Sequence, residues 1–379
     1  MKEVNVGMIG CGGRLRGLIQ PHPGLNVVAL CDPSADSIAD AQACYGGQAT
    51  VYASPAELVA DRRIEWVLVG SWNSLHKEHA VAALRAGKHV FCEKPLATSL
   101  DDCLAIRDAV RDSGRLFSFG LVLRYAAFYR RLKELLESGT IGPIISFEFN
   151  ETLHFNHGGY FLGNWRRFRE NGGSYILEKC CHDMDLANWL VGSLPTRAAS
   201  FGGLNFFRPE NRHHMERLGV DANGAQAYRT WPGIDLVDPF TSEKSIVDNQ
   251  VIILEYASGV RATFHTNANA SINERRFYLL GTEGTIRADA VSARIEWQRH
   301  GFETTREVID FAADGHSGGD KVLRESLYHS MWTGAPPLVG VQEALRSAVV
   351  CLGIDQALDE GRVVDLRPLW KKAGIEWGK

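Results

Sequence analysis

Short apolar runs alternate with amphipathic stretches through the first third of the chain. The runs are VNVGMIG (4–10), NVVALCD (26–32), EWVLVGS (65–71), KHVFCEK (88–94) and RLFSFGLV (115–122). Between them lie SADSIADAQACYG, SLHKEHAVAALRAG and SLDDCLAIRDAVRDSG, each with helical periodicity. Ser34, Ser74 and Ser99 stand where N-caps are expected, and Gly46, Gly87 and Gly114 where helices should stop. Strands apolar on both faces, alternating with amphipathic helices, predict βαβ units: an α/β doubly wound parallel sheet covered on both sides.

After about residue 123 the pattern changes. A helix, AAFYRRLKELLESG, precedes the long run PIISFEFNETLHF, and a second helix is expected over 174–191. Period-two alternation then dominates in RAASFGGLNFF, DNQVIILEYASGVRATFHTNA, RRFYLLGTEGTIRAD and SARIEWQRH, with ASG and GTEG as hairpin turns. This predicts a C-terminal α+β domain built on a large, mostly antiparallel, open-faced sheet. The stretch 207–245 is polar, Gly/Pro-punctuated and too long for a simple connection, as expected of a lid, an oligomer arm or a disordered segment. Domain boundaries follow: 1–123, then 124–340, with an amphipathic helix at about 341–361 packing back on the first domain.

Composition adds exclusions. The chain of 379 residues is 45% hydrophobic and 23% charged, with a formal net charge of −4. That is ordinary globular composition, and it argues against nucleic acid or a membrane as partner. No apolar run approaches the roughly 20 residues that span a bilayer. The N-terminal stretch lacks the pattern of a secretory signal. Eight cysteines without CxxC spacing read as small core hydrophobes, so a cytoplasmic protein is expected.

Three places carry candidate chemistry. In GMIGCGGRLRG, Gly10 and Gly12 match the first two glycines of a GxGxxG turn, which lets backbone N–H groups approach a pyrophosphate. The third position is Leu15, so looser helix–strand packing is expected there, relieved by Gly13 or Gly17. Asp32 ends the second strand, where a carboxylate accepts from the ribose 2′-hydroxyl; its bland alternative is a turn residue before Pro33. Pro33, Ser34 and Ala35 supply no arginine for a 2′-phosphate, which favours NAD over NADP. Lys94 follows the fifth strand, as either a solvated charge or a cation aimed at substrate. In ILEKCCHDMDLANWLVG (176–192), a continuous helix would place Glu178, His182, Asp185 and Trp189 on one face. That stripe is either a buried hydrogen-bonded network or a proton-handling surface. The spacing fits no metal motif, so no metal is expected.

Together these stretches resemble the glucose–fructose oxidoreductase / inositol dehydrogenase (Gfo/Idh/MocA) family along nearly the whole chain. The resemblance rests on the glycine turn, GSWNSLHKEHAVAALRAGKHVFCEKPLATS, LKELLESGTIGPI, NWRRF and GGSYILEKCCHDMDLANWLVG. It implies a catalytic trio of Lys94, His182 and Glu178, the last standing where the family has an aspartate. It places Gly10, Gly12, Gly13, Arg14, Leu15, Asp32, Ser71, Trp72, Asn73, His76, Glu93, Lys94, Arg124, Trp165 and Arg166 around NAD. Tyr125, Trp165, Lys179 and His316 join the trio as substrate contacts. The implied reaction is hydride transfer between NAD and a secondary alcohol of a cyclic polyol, sugar or sugar derivative. A histidine, with an ordinary pKa near 6.5, would be the base and Lys94 the cation at the alkoxide. Two alternatives stay open on the same scaffold: an NAD-dependent glycosidase or lyase working by transient oxidation and elimination, and a non-catalytic NAD-binding regulator. A homodimer or homotetramer through the C-terminal sheet is expected, because an open sheet face needs cover.

Overall fold

A computed structural model describes residues 3–230, 236–312 and 315–378. The chain divides into two compact units, Met1–Ala126 with Gly318–Ala348, and Ala127–Ser317 with Val349–Lys379. The sequence pattern had put 318–340 with the second domain and all of 341–361 on the first. The division instead sends 318–348 to the first unit and the rest of that helix to the second. The reason is visible in hydrogen bonds: the Phe119 N–H donates to the Val339 carbonyl in the first unit, and the Cys351 thiol to the Ile176 carbonyl in the second.

In the first unit, β1 (Val4–Ile9), α1 (Gly13–Leu18), β2 (Leu25–Cys31), α2 (Ala35–Tyr45), β3 (Thr50–Val51), α3 (Pro55–Ala60), β4 (Trp66–Val69), α4 (His76–Arg85), β5 (His89–Cys92), α5 (Leu100–Ser113) and β6 (Phe117–Phe119) follow in order. Their strands form one parallel sheet in the order β3-β2-β1-β4-β5-β6. Val6, Met8, Val67, Leu68, Val90 and Phe91 are fully buried, which is why these runs read as continuous apolar stretches. Ser34 and Ser99 cap α2 and α5 by accepting from Ser37 N and Asp102 N, each such cap being worth about 1 kcal/mol. Ser74 is no cap, because a 3-10 turn over Asn73–Leu75 leads into α4. All the strands run the same way, so Gly10, Asp32, Gly70 and Glu93 lie together at the C-terminal edge of the sheet.

In the second unit come α6 (Ala127–Glu137), β7 (Ile144–His154), α7 (Phe155–Leu162), α8 (Arg169–Gly172), α9 (Tyr175–Glu178), α10 (Cys181–Val191), β8 (Pro195–Gly203) and α11 (His213–Leu218). Then follow β9 (Asn249–Tyr256), β10 (Arg261–Ala270), β11 (Arg276–Gly281), β12 (Gly284–Asp289), β13 (Arg294–Arg299) and β14 (Glu307–Asp310). The chain closes with α12 (Gly319–Thr333, in the first unit), α13 (Val341–Glu360), β15 (Val364–Asp365) and α14 (Arg367–Ala373). The nine strands order as β14-β13-β12-β11-β7-β10-β9-β8-β15, antiparallel except for β7 beside β10. Phe147, Phe149, Phe264 and Phe277 fill the inner face, with Phe149 4.6 Å from Phe264 and 5.2 Å from Phe277 between ring centroids. The other face leaves Phe201 70%, Ile253 52% and Val251 47% exposed.

The stretch 207–245 carries a packed aromatic group among mostly exposed residues. Phe206, Phe207, Tyr228 and Phe240 form an aromatic cluster with centroids 5.1–5.9 Å apart. Residues 231–235 lie outside the described residues. Gly158 of α7 lies under β10: a Cβ there would meet the Ala268 carbonyl oxygen at 1.7 Å, so only glycine allows the contact. No helix among the described residues is long and apolar enough to cross a membrane.

Candidate functional site

In the first unit the glycine turn is shaped by contact. Gly10 has φ +83°, and a Cβ on it would lie 2.4 Å from Gly70 C and Ser71 N, so β1 and β4 approach each other only with glycine there. Gly12 and Gly13 have nothing within 4 Å of a Cβ position, which leaves their amide edge open to a pyrophosphate. The packing at the third position differs from expectation. Leu15 is 1% exposed and sits against Gly70, whose missing side chain makes the room; Gly13 and Gly17 contribute none.

Asp32 closes the turn. One carboxylate oxygen accepts from Cys11 N at 2.6 Å and the other from Ser34 N at 2.8 Å. Each oxygen keeps a second lone pair for a ribose hydroxyl. The residues therefore fit a dinucleotide: an open glycine edge followed by a fixed carboxylate at the next strand end.

Arg14 bridges two carboxylates, donating to Glu93 at 3.0 Å and Asp320 at 2.7 Å. Lys94 is half-buried beside this bridge in sequence, at the edge where Glu93 is buried. His76 is buried with its ring nitrogens 2.7 Å from the Pro95 carbonyl and 3.1 Å from the Ser71 carbonyl, tying the loop after β4 to the one after β5. Burial pushes its pKa down. The Ser71 hydroxyl pairs with His79 at 2.8 Å, Asn73 is buried and Trp72 is exposed. Arg124 is half-buried. Tyr125 is 2% exposed, with its hydroxyl near Ser326 and the Val339 carbonyl, and burial pushes its pKa up to about 12. His316 is exposed, in a left-handed conformation at φ 51°.

In the second unit the expected continuous helix over 174–191 is broken. Ser174 caps α9, and the break falls at Lys179 and Cys180, where Cys180 adopts φ −98° and ψ 8°. Both side chains at the break are tied to the sheet. The Lys179 ammonium reaches Glu151 on β7 at 3.0 Å, and the Cys180 thiol reaches Thr266 on β10 at 3.6 Å. The single stripe predicted for Glu178, His182, Asp185 and Trp189 is therefore split between two helices.

Glu178, 3% exposed, accepts from Arg166 Nε at 2.6 Å. Arg166 also donates to the Tyr160 hydroxyl at 3.0 Å, and its guanidinium lies 4.2 Å from the Trp165 ring centroid. Arg166 is thus an ion-pair partner of Glu178 in this geometry. Arg166 and Trp165 had been placed near the cofactor from resemblance, without this ion pair being foreseen.

His182 lies in the first turn of α10 and is 7% exposed. The next residue belongs to a group that sequence reasoning missed. Asp183, fully buried, takes Arg275 in bidentate fashion at 2.8 and 2.7 Å, and Arg275 also reaches Glu151 at 3.3 Å. Burial and the neighbouring Glu151 push Asp183 up to about 7, whereas Arg275 and Lys179 hold Glu151 low against its own burial. Among the described residues, Glu151, Cys180 and Asp183 are the only metal-ligand types gathered closely enough to share an ion. Arg275 and Lys179 already occupy the cationic positions of that cluster. Cys180 and Cys181 are buried, and burial raises the Cys180 pKa well above that of an ordinary thiol. The eight cysteines form no disulfide among the described residues.

Comparison with known proteins completes the picture. Residues 4–121 match the oxidoreductase family NAD-binding Rossmann fold, and residues 133–366 match the same family's C-terminal alpha/beta domain. The chain is 35% identical over 194 residues to an inositol 2-dehydrogenase of Ralstonia nicotianae, covering 50% of this chain and 55% of the relative. It is 30% identical over 263 residues to that of Burkholderia cenocepacia, covering 68% and 65%. The alignments thus span between half and two thirds of these relatives. The fold matches that of levoglucosan dehydrogenase in complex with NADH and levoglucosan, with a TM-score of 0.76, 19% identity, and 96% and 100% of the two chains covered.

Proposed function

The chain belongs to the Gfo/Idh/MocA oxidoreductase family, and from that premise we propose that it is an NAD-dependent dehydrogenase of a cyclic polyol, sugar or sugar derivative. The observation that carries this is the cradle of the first unit, an open Gly12 edge closed by the Asp32 carboxylate. The named relatives, inositol 2-dehydrogenases, support the substrate class. Bound in the cradle, NAD supplies the hydride acceptor. His182 removes the hydroxyl proton as that carbon is oxidised, and Lys94 stabilises the alkoxide that develops on the oxygen. Glu178 holds Arg166 over Trp165, and this pair presents a fixed cationic and aromatic surface to the ligands. Tyr125, Lys179 and His316 remain proposed substrate contacts. A cytoplasmic setting remains part of this proposal.

The test is a panel of polyols, sugars and sugar acids, with NADH absorbance and product analysis run in parallel. Stoichiometric NADH with a ketone product is the expected result. Turnover on catalytic NAD with an eliminated group would instead assign the lyase or glycosidase reading, and NAD binding without turnover on any substrate the regulator.

Asp32 should set cofactor choice. Asp32→Ser combined with Ser34→Arg is expected to move the ratio of NAD to NADP affinity by at least about tenfold, or 1.4 kcal/mol. Titration of both nucleotides checks it, and a wild-type protein that prefers NADP refutes the reading.

We also propose a homodimer or homotetramer built on the outer sheet face. Phe201 pairs in register with Val251, and Ala199 with Ile253, so the exposed side chains form a contiguous apolar strip. Light scattering should give a dimer or tetramer at micromolar concentration, and Ile253→Glu should shift it toward monomer. A monodisperse wild-type monomer would end this proposal.

A further inference from the structure

Four charged groups from four places in the second unit converge on the chain segment that carries His182. Glu151 comes from β7, Lys179 from the break between α9 and α10, Asp183 from the first turn of α10, and Arg275 from the connection before β11. Glu151 and Asp183 are 4% and 0% exposed. The sheet register fixes where the group forms: Glu151 stands beside Thr266 on the inner face, and Thr266 takes the Cys180 thiol from the same break.

Burying charges costs desolvation that their mutual attraction only partly repays, and apolar residues of similar size often serve stability as well. Stability alone therefore gives a weak reason for this arrangement. Its geometry gives a better one. Lys179 lies three residues before His182 and Asp183 one residue after it, and both are tied to the sheet through Glu151 and Arg275. A bidentate Arg–carboxylate pair fixes direction as well as distance. His182 is thus the residue held between two anchored neighbours.

We propose that the Glu151–Lys179–Arg275–Asp183 cluster positions His182 for proton transfer, with Arg275 as the positioning residue that joins helix α10 to the sheet. This rests on the reading of His182 as the base. The groups facing the cluster are Glu151 on β7, Tyr175 on α9, Lys179 and Cys180 at the break, Asp183 on α10, Arg275 before β11, Asp289 on β12, Cys351 on α13 and Tyr129 on α6. Burial and the Glu151 charge push the Asp183 pKa upward, against the pull of Arg275.

The test uses full-length enzyme and two variants. Asp183→Asn with Arg275→Gln removes one charge of each sign and leaves the Glu151–Lys179 pair in place. Arg275→Lys keeps the charge and loses the bidentate geometry. Misplacing a reacting group by about 1 Å can cost on the order of 100-fold. The double variant is expected to bind NAD like wild type, to lose roughly 10- to 100-fold in kcat with little change in KM, and to shift the acid limb of its kcat–pH profile. Arg275→Lys should fall between the two. A purely structural cluster would move the melting temperature and leave kcat and the pH limb alone; that result overturns the proposal. Should the double variant fail to fold, Arg275→Lys decides alone, wild-type kcat overturning the proposal and a reduced kcat with a shifted limb supporting it. His182→Ala, run alongside, separates the two readings. If it keeps turnover, the assignment of the base has failed. If it is inactive while the cluster variants are normal, only the positioning role has.

Discussion

His182→Ala is expected to lower turnover by roughly 10²–10⁴-fold while leaving NAD affinity within a few-fold of wild type. The first figure is the usual contribution of a general base in transition-state proton transfer. The second follows because the pyrophosphate and ribose contacts are assigned to the glycine turn and Asp32 in the other unit. Lys94→Ala should show the same split, through loss of charge at the developing alkoxide. Steady-state kinetics with tryptophan-fluorescence titration of NAD checks both. The neighbouring thiols supply the contrast. Cys180 is fully buried and its hydrogen bond goes to Thr266. Cys180→Ala should therefore cost about 1–2 kcal/mol of stability from a small cavity and change the rate only several-fold. Chelators should leave the rate unchanged. An inactive but folded Cys180→Ala enzyme would show that the thiol takes part in the chemistry.

Gly10→Ala should be nearly as severe, by a different route. At φ +83° an alanine is strained by roughly 1–2 kcal/mol, and its Cβ would sit 2.4 Å from the backbone at Gly70 and Ser71. No rotamer change relieves a Cβ–backbone clash, so the ends of β1 and β4 must part. The Gly12 edge, Asp32's bond to Cys11 and the Ser71–His76 tie all depend on those strand ends. NAD affinity should fall at least tenfold and the melting temperature by several degrees. Titration calorimetry and thermal denaturation with and without NAD measure the two effects. Wild-type NAD affinity in a folded Gly10→Ala protein would show that the turn is not the dinucleotide cradle.

What the sequence by itself determined was local. Strand–helix alternation in the first unit, the caps at Ser34 and Ser99 and the hairpins after β9 and β11 depend on residues a few positions apart, so periodicity exposes them. The glycine turn and Asp32 were equally legible, because a strand end and a tight turn leave a fixed spacing. The tertiary structure decided which buried charge meets which. Glu178 goes to Arg166 across a 3-10 turn, and Asp183 goes to Arg275, 92 residues away. The room for Leu15 comes from Gly70 on a neighbouring strand, not from the glycines beside it. Helix 174–191 looked continuous because its polar and apolar positions keep a helical period; it breaks at Lys179 and Cys180, whose side chains reach Glu151 and Thr266. A buried charge must find an opposite charge or a hydrogen bond. Which group answers is set by the register of β7 against β10 and the reach of the connection before β11, and neither is written in the period of any one helix.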